Sequence, residues 1–155
     1  VETVILRIFN AYGPGQPAPP AHAPVIPAFV RQVLSGGSVV LHGSPPGAQT
    51  RDFVYVDDVV EALVLAGVTG GLSGRTLNVG SGREVSVEDL VRTLEKVTGK
   101  QARRLTSPEH SGGVARMCAD IGAVKRSLGW SPSVDLAEGL RRVVAQESRA
   151  GRRSG

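Results

Sequence analysis

A chain of 155 residues, 41% of them apolar, can bury one hydrophobic core of moderate size and needs no second domain. With 18 Lys+Arg against 14 Asp+Glu it carries a net charge of +4, and its one cysteine, Cys118, excludes an internal disulfide or a cysteine-based metal cluster. No run of about 18 apolar residues occurs, so no helix spanning a membrane is expected, and the free thiol fits a reducing, cytoplasmic setting.

The opening segment, VETVILRIFN, has no basic region or small-residue cleavage site and enters a strand almost at residue 1 without an initiator methionine, which reads as a chain cut from something longer. Its β-branched apolar run predicts a strand buried on both faces, as in a parallel sheet. AYGPGQPAPPAHAP, with five prolines and two glycines, predicts a loop. In VIPAFVRQVLSGG, Pro27 suits a first turn, Phe29, Val30, Val33 and Leu34 form one apolar stripe, and Gly36-Gly37 stops the helix.

SVVLHG and RDFVYV read as two further strands, and Asp57 as the N-cap of a helix over DVVEALVLAGV. RTLNV is a fourth strand. Ser86 with Asp89 approximates a capping box for VEDLVRTLEKVTG, whose Val87, Leu90, Val91, Leu94 and Val97 share a face, with Gly99 as the stop. A short strand is expected near Arg103 to Leu105, then a helix capped by Asp120 through Ile121, Val124 and Leu128. A last helix begins near Asp135 and presents Leu136, Leu140, Val143 and Val144. Residues 1–148 read as one structured portion and 149–155, rich in arginine, as a disordered basic tail.

Strands alternating with helices predict an α/β layered fold. The histidines His22, His42 and His110 are far apart and no HExxH occurs, so no metal site is expected. No GxSxG is present, and GSGREV lacks the third glycine of GxGxxG. Fifteen of the 18 bases are arginine, yet aromatics are only 4% and no helix carries a continuous basic face, which argues against a nucleic-acid-binding module. What remains is a set of polar residues at strand edges: Asn10, His42, Arg51 and Asn78. In an open α/β sheet ligands bind beyond the carboxyl ends of strands, and an arginine there can grip a phosphate with its planar fork of donors. The plainer readings stay open: Asn10 as a turn former, Arg51 as a surface partner of Asp52, Tyr12 as a packing residue.

In order along the chain, "LRIFNAYGPGQ", "VIPAFVRQVLSGG", "QTRDFVYVDDVVEA", "LNVGSGREVSVEDLV" and "ADIGAVKRSLGWSPSVDLAEGLRRVV" resemble the C-terminal half of NAD-dependent nucleotide-sugar epimerases and dehydratases, the extended short-chain dehydrogenase/reductases. The resemblance implies the last strands of a Rossmann-like parallel sheet plus a small α/β substrate-binding domain. It further implies NAD bound mainly by an N-terminal half that holds the glycine-rich loop and the YxxxK pair, a nucleotide-diphosphate sugar as ligand, and a homodimer. Carried over by position, Asn10 and Arg51 contact the diphosphate, Val25, Val40 and His42 flank the nucleotide base, and Phe9 lies near the nicotinamide. Catalytic residues belong to the other half, so the fragment alone is expected to be inactive. One departure stands out: where relatives read R-x-G-D, this chain has His110-Ser111-Gly112-Gly113. His110 then offers a weaker, pH-dependent donor, and Arg116 is a substitute. A degenerate paralogue without activity is the alternative reading.

Overall fold

The computed structural model describes residues 2–17, 19, 23–108 and 114–151. The opening apolar run is two strands, β1 (Ile5–Ile8) and β2 (Asn10–Tyr12). They are followed by α1 (Val25–Ser35), β3 (Ser38–His42), β4 (Thr50–Arg51), β5 (Phe53–Tyr55) and α2 (Val56–Val68). The remainder is β6 (Thr76–Val79), β7 (Val85–Ser86), α3 (Val87–Thr98), β8 (Arg103–Ser107), α4 (Gly122–Leu128) and α5 (Leu136–Gly151). The strands pair two by two: β1 with β6, β2 with β5 and β3 with β8 in parallel, and β4 with β7 antiparallel.

The opening run divides because it changes partner. Phe9 N–H donates to the Val79 carbonyl on the β6 side (2.9 Å), and Asn10 N–H donates to the Asp52 carbonyl on the β5 side (3.1 Å). The expectation of burial on both faces is corrected here. Ile5 and Ile8 are 57% and 44% exposed, because β1 has β6 as its one strand neighbour among the described residues. RDFVYV divides in the same way: Arg51 pairs with Val85, while Phe53 to Tyr55 pair with Asn10 to Tyr12, and Asp52 lies between.

Helix ends follow local chemistry in most places. Gly36, Gly99 and Gly129 close α1, α3 and α4 in the left-handed conformation that a side chain would strain. Ser86 Oγ accepts from Asp89 N–H (2.9 Å), completing the predicted cap of α3. Asp57 is not the cap of α2. The helix starts two residues earlier than expected, at Val56, which places Asp57 exposed in the first turn, 3.6 Å from Arg142. Asp120 accepts from Gly122 N–H (2.8 Å) just before α4. α5 runs through Gly151, so the first residues of the expected tail, from 149, are helical; 152–155 lie outside the described residues.

Two hydrophobic clusters result. The first gathers the stripes of α1, α3 and α5 around Val30, Val33, Val39, Leu90, Leu94 and Leu140. The second packs α2 and α4 on β1 and β6 through Val54, Val59, Leu77, Val79, Val124 and Trp130. Tyr12 belongs to the first, edge-on to Phe53 and Tyr55 at ring distances of 6.4 and 5.7 Å, which settles it as a packing residue. Among the described residues no helix is long and apolar enough to cross a membrane, and no group of three or more His, Cys, Asp or Glu is placed to hold a metal.

Candidate functional site

Successive residues of an extended chain point to opposite sides, and this decides the roles of Arg51 and Asp52. Asp52 turns inward and is fully buried. Its Oδ1 accepts from Ser81 N–H (2.6 Å) and Ser81 Oγ–H (2.7 Å), and its Oδ2 from Gly82 N–H and Ala119 N–H (both 2.9 Å). A buried carboxylate needs such donors, and four of them make Asp52 the pin that joins β5 to the NVGSG turn and to the segment before α4. Arg51 and Asp52 are therefore no surface pair.

Arg51 turns the other way. Its Nη1 donates to the carbonyls of Thr50 (2.7 Å) and Val114 (2.9 Å), and its Nη2 approaches the Gln49 side-chain oxygen at 3.4 Å. These bonds orient the guanidinium, yet among the described residues no carboxylate neutralises it. The side chain lines a cavity of about 450 Å³ together with Val25 and Phe29 of α1, Val40 and His42 of β3, and Gln49. Val25 of α1, Val40 and His42 of β3, and Arg51 of β4, from three separate elements, thus line one cavity. Val40 is 39% exposed although apolar, and one buried nitrogen of His42, Nδ1, has no hydrogen-bond partner. An apolar slot with one uncompensated cation suits a flat ring bearing an anionic tail.

Asn10 and Phe9 do not line this cavity. Asn10 opens β2 with an exposed side chain, and Phe9 is half-buried at the joint between β1 and β2. Asn78 donates to the Asp120 carbonyl (3.2 Å), a structural bond. His110 lies outside the described residues, as does Gly113. Arg116 does not line the cavity. It holds Glu84 through two bonds of 2.7 Å, and the Thr50 hydroxyl donates to the same carboxylate. Arg116 above all, with Thr50, holds the Glu84 carboxyl at about 2, below its ordinary 4.5.

A second cavity, of about 620 Å³, lies beyond Asp52 and is lined by Ser81, Arg83, Asp120, Lys125 and Ser133 among others. Several of its polar groups already serve the fold: Ser81 binds Asp52, Asp120 binds Gly122 N–H, and Ser133 donates to Asp58 at 2.7 Å. The chain's glycine-rich turn is likewise spoken for. The N–H groups of Ser81 and Gly82 are spent on the Asp52 carboxylate, so this turn does not fit as a cradle for a dinucleotide pyrophosphate.

Sequence reasoning missed Asp52 and Asp58. Asp58 is also buried, accepting from Ser133 N–H (3.0 Å) and Val134 N–H (3.2 Å) while its own carbonyl accepts from Trp130 Nε1–H (3.0 Å). Both had a signal: strand alternation sets Asp52 opposite Arg51, and helical spacing puts Asp58 on the same inward face as Val59 and Ala62.

Comparison with known proteins bears on the fold and the family. Residues 1–80 match the profile described as the NAD dependent epimerase/dehydratase family. The UDP-glucose 4-epimerase of Mycolicibacterium smegmatis is 37% identical over 135 residues, covering 87% of this chain and 42% of that protein. The crystal structure of UDP-glucose 4-epimerase from Thermotoga maritima with UDP-glucose superposes with a TM-score of 0.88 at 35% identity, covering 97% of this chain and 47% of that one. That of UDP-glucuronic acid 4-epimerase from Bacillus cereus, in complex with UDP-glucuronic acid and NAD, gives 0.85 at 31% identity over 95% and 45% of the two chains. The chain thus spans a little under half the length of each of these relatives. Its ordered motifs, its parallel pairs and its likeness to these enzymes over nearly its whole length place it in the NAD-dependent epimerase/dehydratase family, whose cofactor is NAD.

Proposed function

We propose that this chain is the nucleotide-sugar-binding half of an NAD-dependent epimerase or dehydratase. The observation that carries the reading is Arg51, a cation with no carboxylate partner among the described residues, facing a cavity walled by Val25, Phe29, Val40 and His42. In this reading the diphosphate lies on the Arg51 fork, the base slides between Val25, Val40 and His42, and Asn10 reaches the diphosphate from β2. Phe9 faces the nicotinamide, and His110 supplies a further donor.

NAD, when bound, supplies the hydride acceptor for transient oxidation of the sugar. The residues that cradle it and those that move protons belong to the half of the fold outside this chain, and binding and positioning are what this half contributes. Neither tyrosine of the chain is suited to act as a base. Burial, then the neighbouring Tyr55, pushes the Tyr12 phenol above its ordinary range, opposite to what proton abstraction needs, and neither Tyr12 nor Tyr55 is followed by lysine four residues on. Alone, the chain binds and does not turn over substrate.

The test is calorimetric titration of UDP and dTDP into the protein and its Arg51→Ala variant. Loss of a charged hydrogen-bond donor is expected to weaken binding by about 1.5 to 3 kcal/mol, with Arg51→Lys in between because it keeps the charge and loses the fork. Equal affinities for parent and Arg51→Ala would remove the clamp.

A further inference from the structure

Three consecutive residues, Val114, Ala115 and Arg116, lie against β4 and β7, and all three are exposed, so burial does not hold them there. Polar bonds do. The Val114 carbonyl accepts from Arg51 Nη1 (2.9 Å), the Ala115 carbonyl accepts from Thr50 N–H (3.0 Å), and Arg116 donates to Glu84 through Nε and Nη2, both at 2.7 Å. Glu84 immediately precedes β7, whose Val85 pairs with Arg51, and its carboxylate also accepts from the Thr50 hydroxyl. The bonds close a circuit. It runs from Arg51 to the Val114 carbonyl, along the chain to Arg116, across to Glu84 and back through Val85 to Arg51. Of the acceptors described for Arg51, Thr50 and Gln49 are its neighbours in sequence, and Val114, 63 positions away, is the one that tertiary structure must deliver.

We infer that Glu84 and Arg116 are positioning residues for Arg51: their bidentate pair fixes residues 114–116 so that the Val114 carbonyl holds the Arg51 guanidinium at the cavity. The inference rests on the reading of Arg51 as the anion clamp. It gives Arg116 a role other than that of a second donor, since Arg116 does not line the cavity. Two features of the contact suit this work. A planar fork on a carboxylate fixes direction as well as distance, which a single ammonium bond does not. Arg116 also matches the Glu84 charge, whereas Arg51 is met by two carbonyls and the Gln49 side-chain oxygen, neutral acceptors that orient the guanidinium and leave its charge for a ligand. A long side chain already held in one conformation loses less rotamer freedom when an anion arrives.

The experiment compares the 155-residue chain with its Glu84→Ala variant by UDP calorimetry and by nuclear magnetic resonance of the Arg51 guanidinium. Glu84→Ala should weaken UDP binding about 2- to 10-fold, the scale of ordering one long side chain on binding. The sign separates the causes. Removing a negative charge near an anion site by itself strengthens binding, so lost positioning is what weakens it. In the Arg51→Ala background the same change should weaken UDP no further, because both act through one group. Circular dichroism and the unfolding midpoint of Glu84→Ala should match the parent's, since an ion pair this open to solvent adds little to global stability. Without ligand, the Arg51 Nη protons should give separate signals in the parent and merge in Glu84→Ala as the guanidinium rotates freely. Unchanged or tighter UDP binding by Glu84→Ala beside a weakened Arg51→Ala, or Arg51 signals that stay separate in Glu84→Ala, would overturn the inference. Merged signals together with a UDP affinity indifferent to Arg51→Ala would keep the positioning pair and remove the clamp, so the two failures are distinguishable.

Discussion

The cluster built by α1, α3 and α5 turns its helix stripes inward, with Val30, Leu90, Leu94 and Leu140 at most 1% exposed. The cluster under α2 and α4 is as tightly closed on one side, where Val79, Val124 and Trp130 are buried, and open on the other, along β1 and the outer side of α2. The difference teaches how the fold is divided. The first region carries the cavity and completes its own core; the second ends at a strand edge and at an apolar helix side that nothing among the described residues covers. The two are joined at Asp52, whose four accepted hydrogen bonds tie β5 to the turn after β6 and to the segment leading into α4.

The strongest way to break this comparison is to remove the pin. Asp52→Ala leaves buried donors unpaired and is expected to cost about 4 kcal/mol. It should also separate the transitions: Trp130, the sole tryptophan, reports the open cluster and should change fluorescence at lower denaturant than the circular dichroism signal of the whole chain. Coincident curves would show that Asp52 does not couple the regions.

A smaller effect is expected from Leu140→Ala, which empties a fully buried site in the closed cluster at about 3 kcal/mol. In the parent background both signals should shift together, through the pin. In the Asp52→Ala background circular dichroism should shift and Trp130 fluorescence should not.

The smallest effect lies beside the β4–β7 pair, where Glu84 is held by Arg116 and Thr50. The folded-state pKa of Glu84 is depressed, from 4.5 to about 2, so whatever stability the contact contributes is present above about pH 4.5 and is lost as pH falls from there through 2. Carboxyl titration followed by nuclear magnetic resonance should place the Glu84 midpoint near 2 in the parent and return it toward 4.5 in Arg116→Ala. An unchanged midpoint would show that the bidentate contact is not formed in solution.

Helices were legible wherever the signal was local. The stripe of α3, its Ser86 cap and its Gly99 stop are contiguous in sequence, and all three appear in the structure. Asp57 misled because an aspartate before an apolar helix looks like a cap, while the true start is set by where Tyr55 leaves its pairing with Tyr12. The strands were legible as apolar runs, but their divisions at Phe9 and Asp52 were not, since each marks an exchange of partners distant in sequence. For the cavity, the family resemblance picked out Val25, Val40, His42 and Arg51, and their convergence is visible only in three dimensions.

By itself, then, the sequence determined the alternation of strands and helices, the helix stops and the family, because these rest on spacing and on contacts within a few residues. Tertiary structure alone decided that Arg51 and Asp52 part company, one to a cavity and one to a buried set of donors, and that α2 keeps an uncovered apolar side. The physical reason is common to these outcomes. A charge or an apolar face takes its role from what the fold brings against it, and those neighbours come from distant elements, as in the bonds from Ala119 to Asp52 and from Val134 to Asp58, 67 and 76 positions apart in the chain.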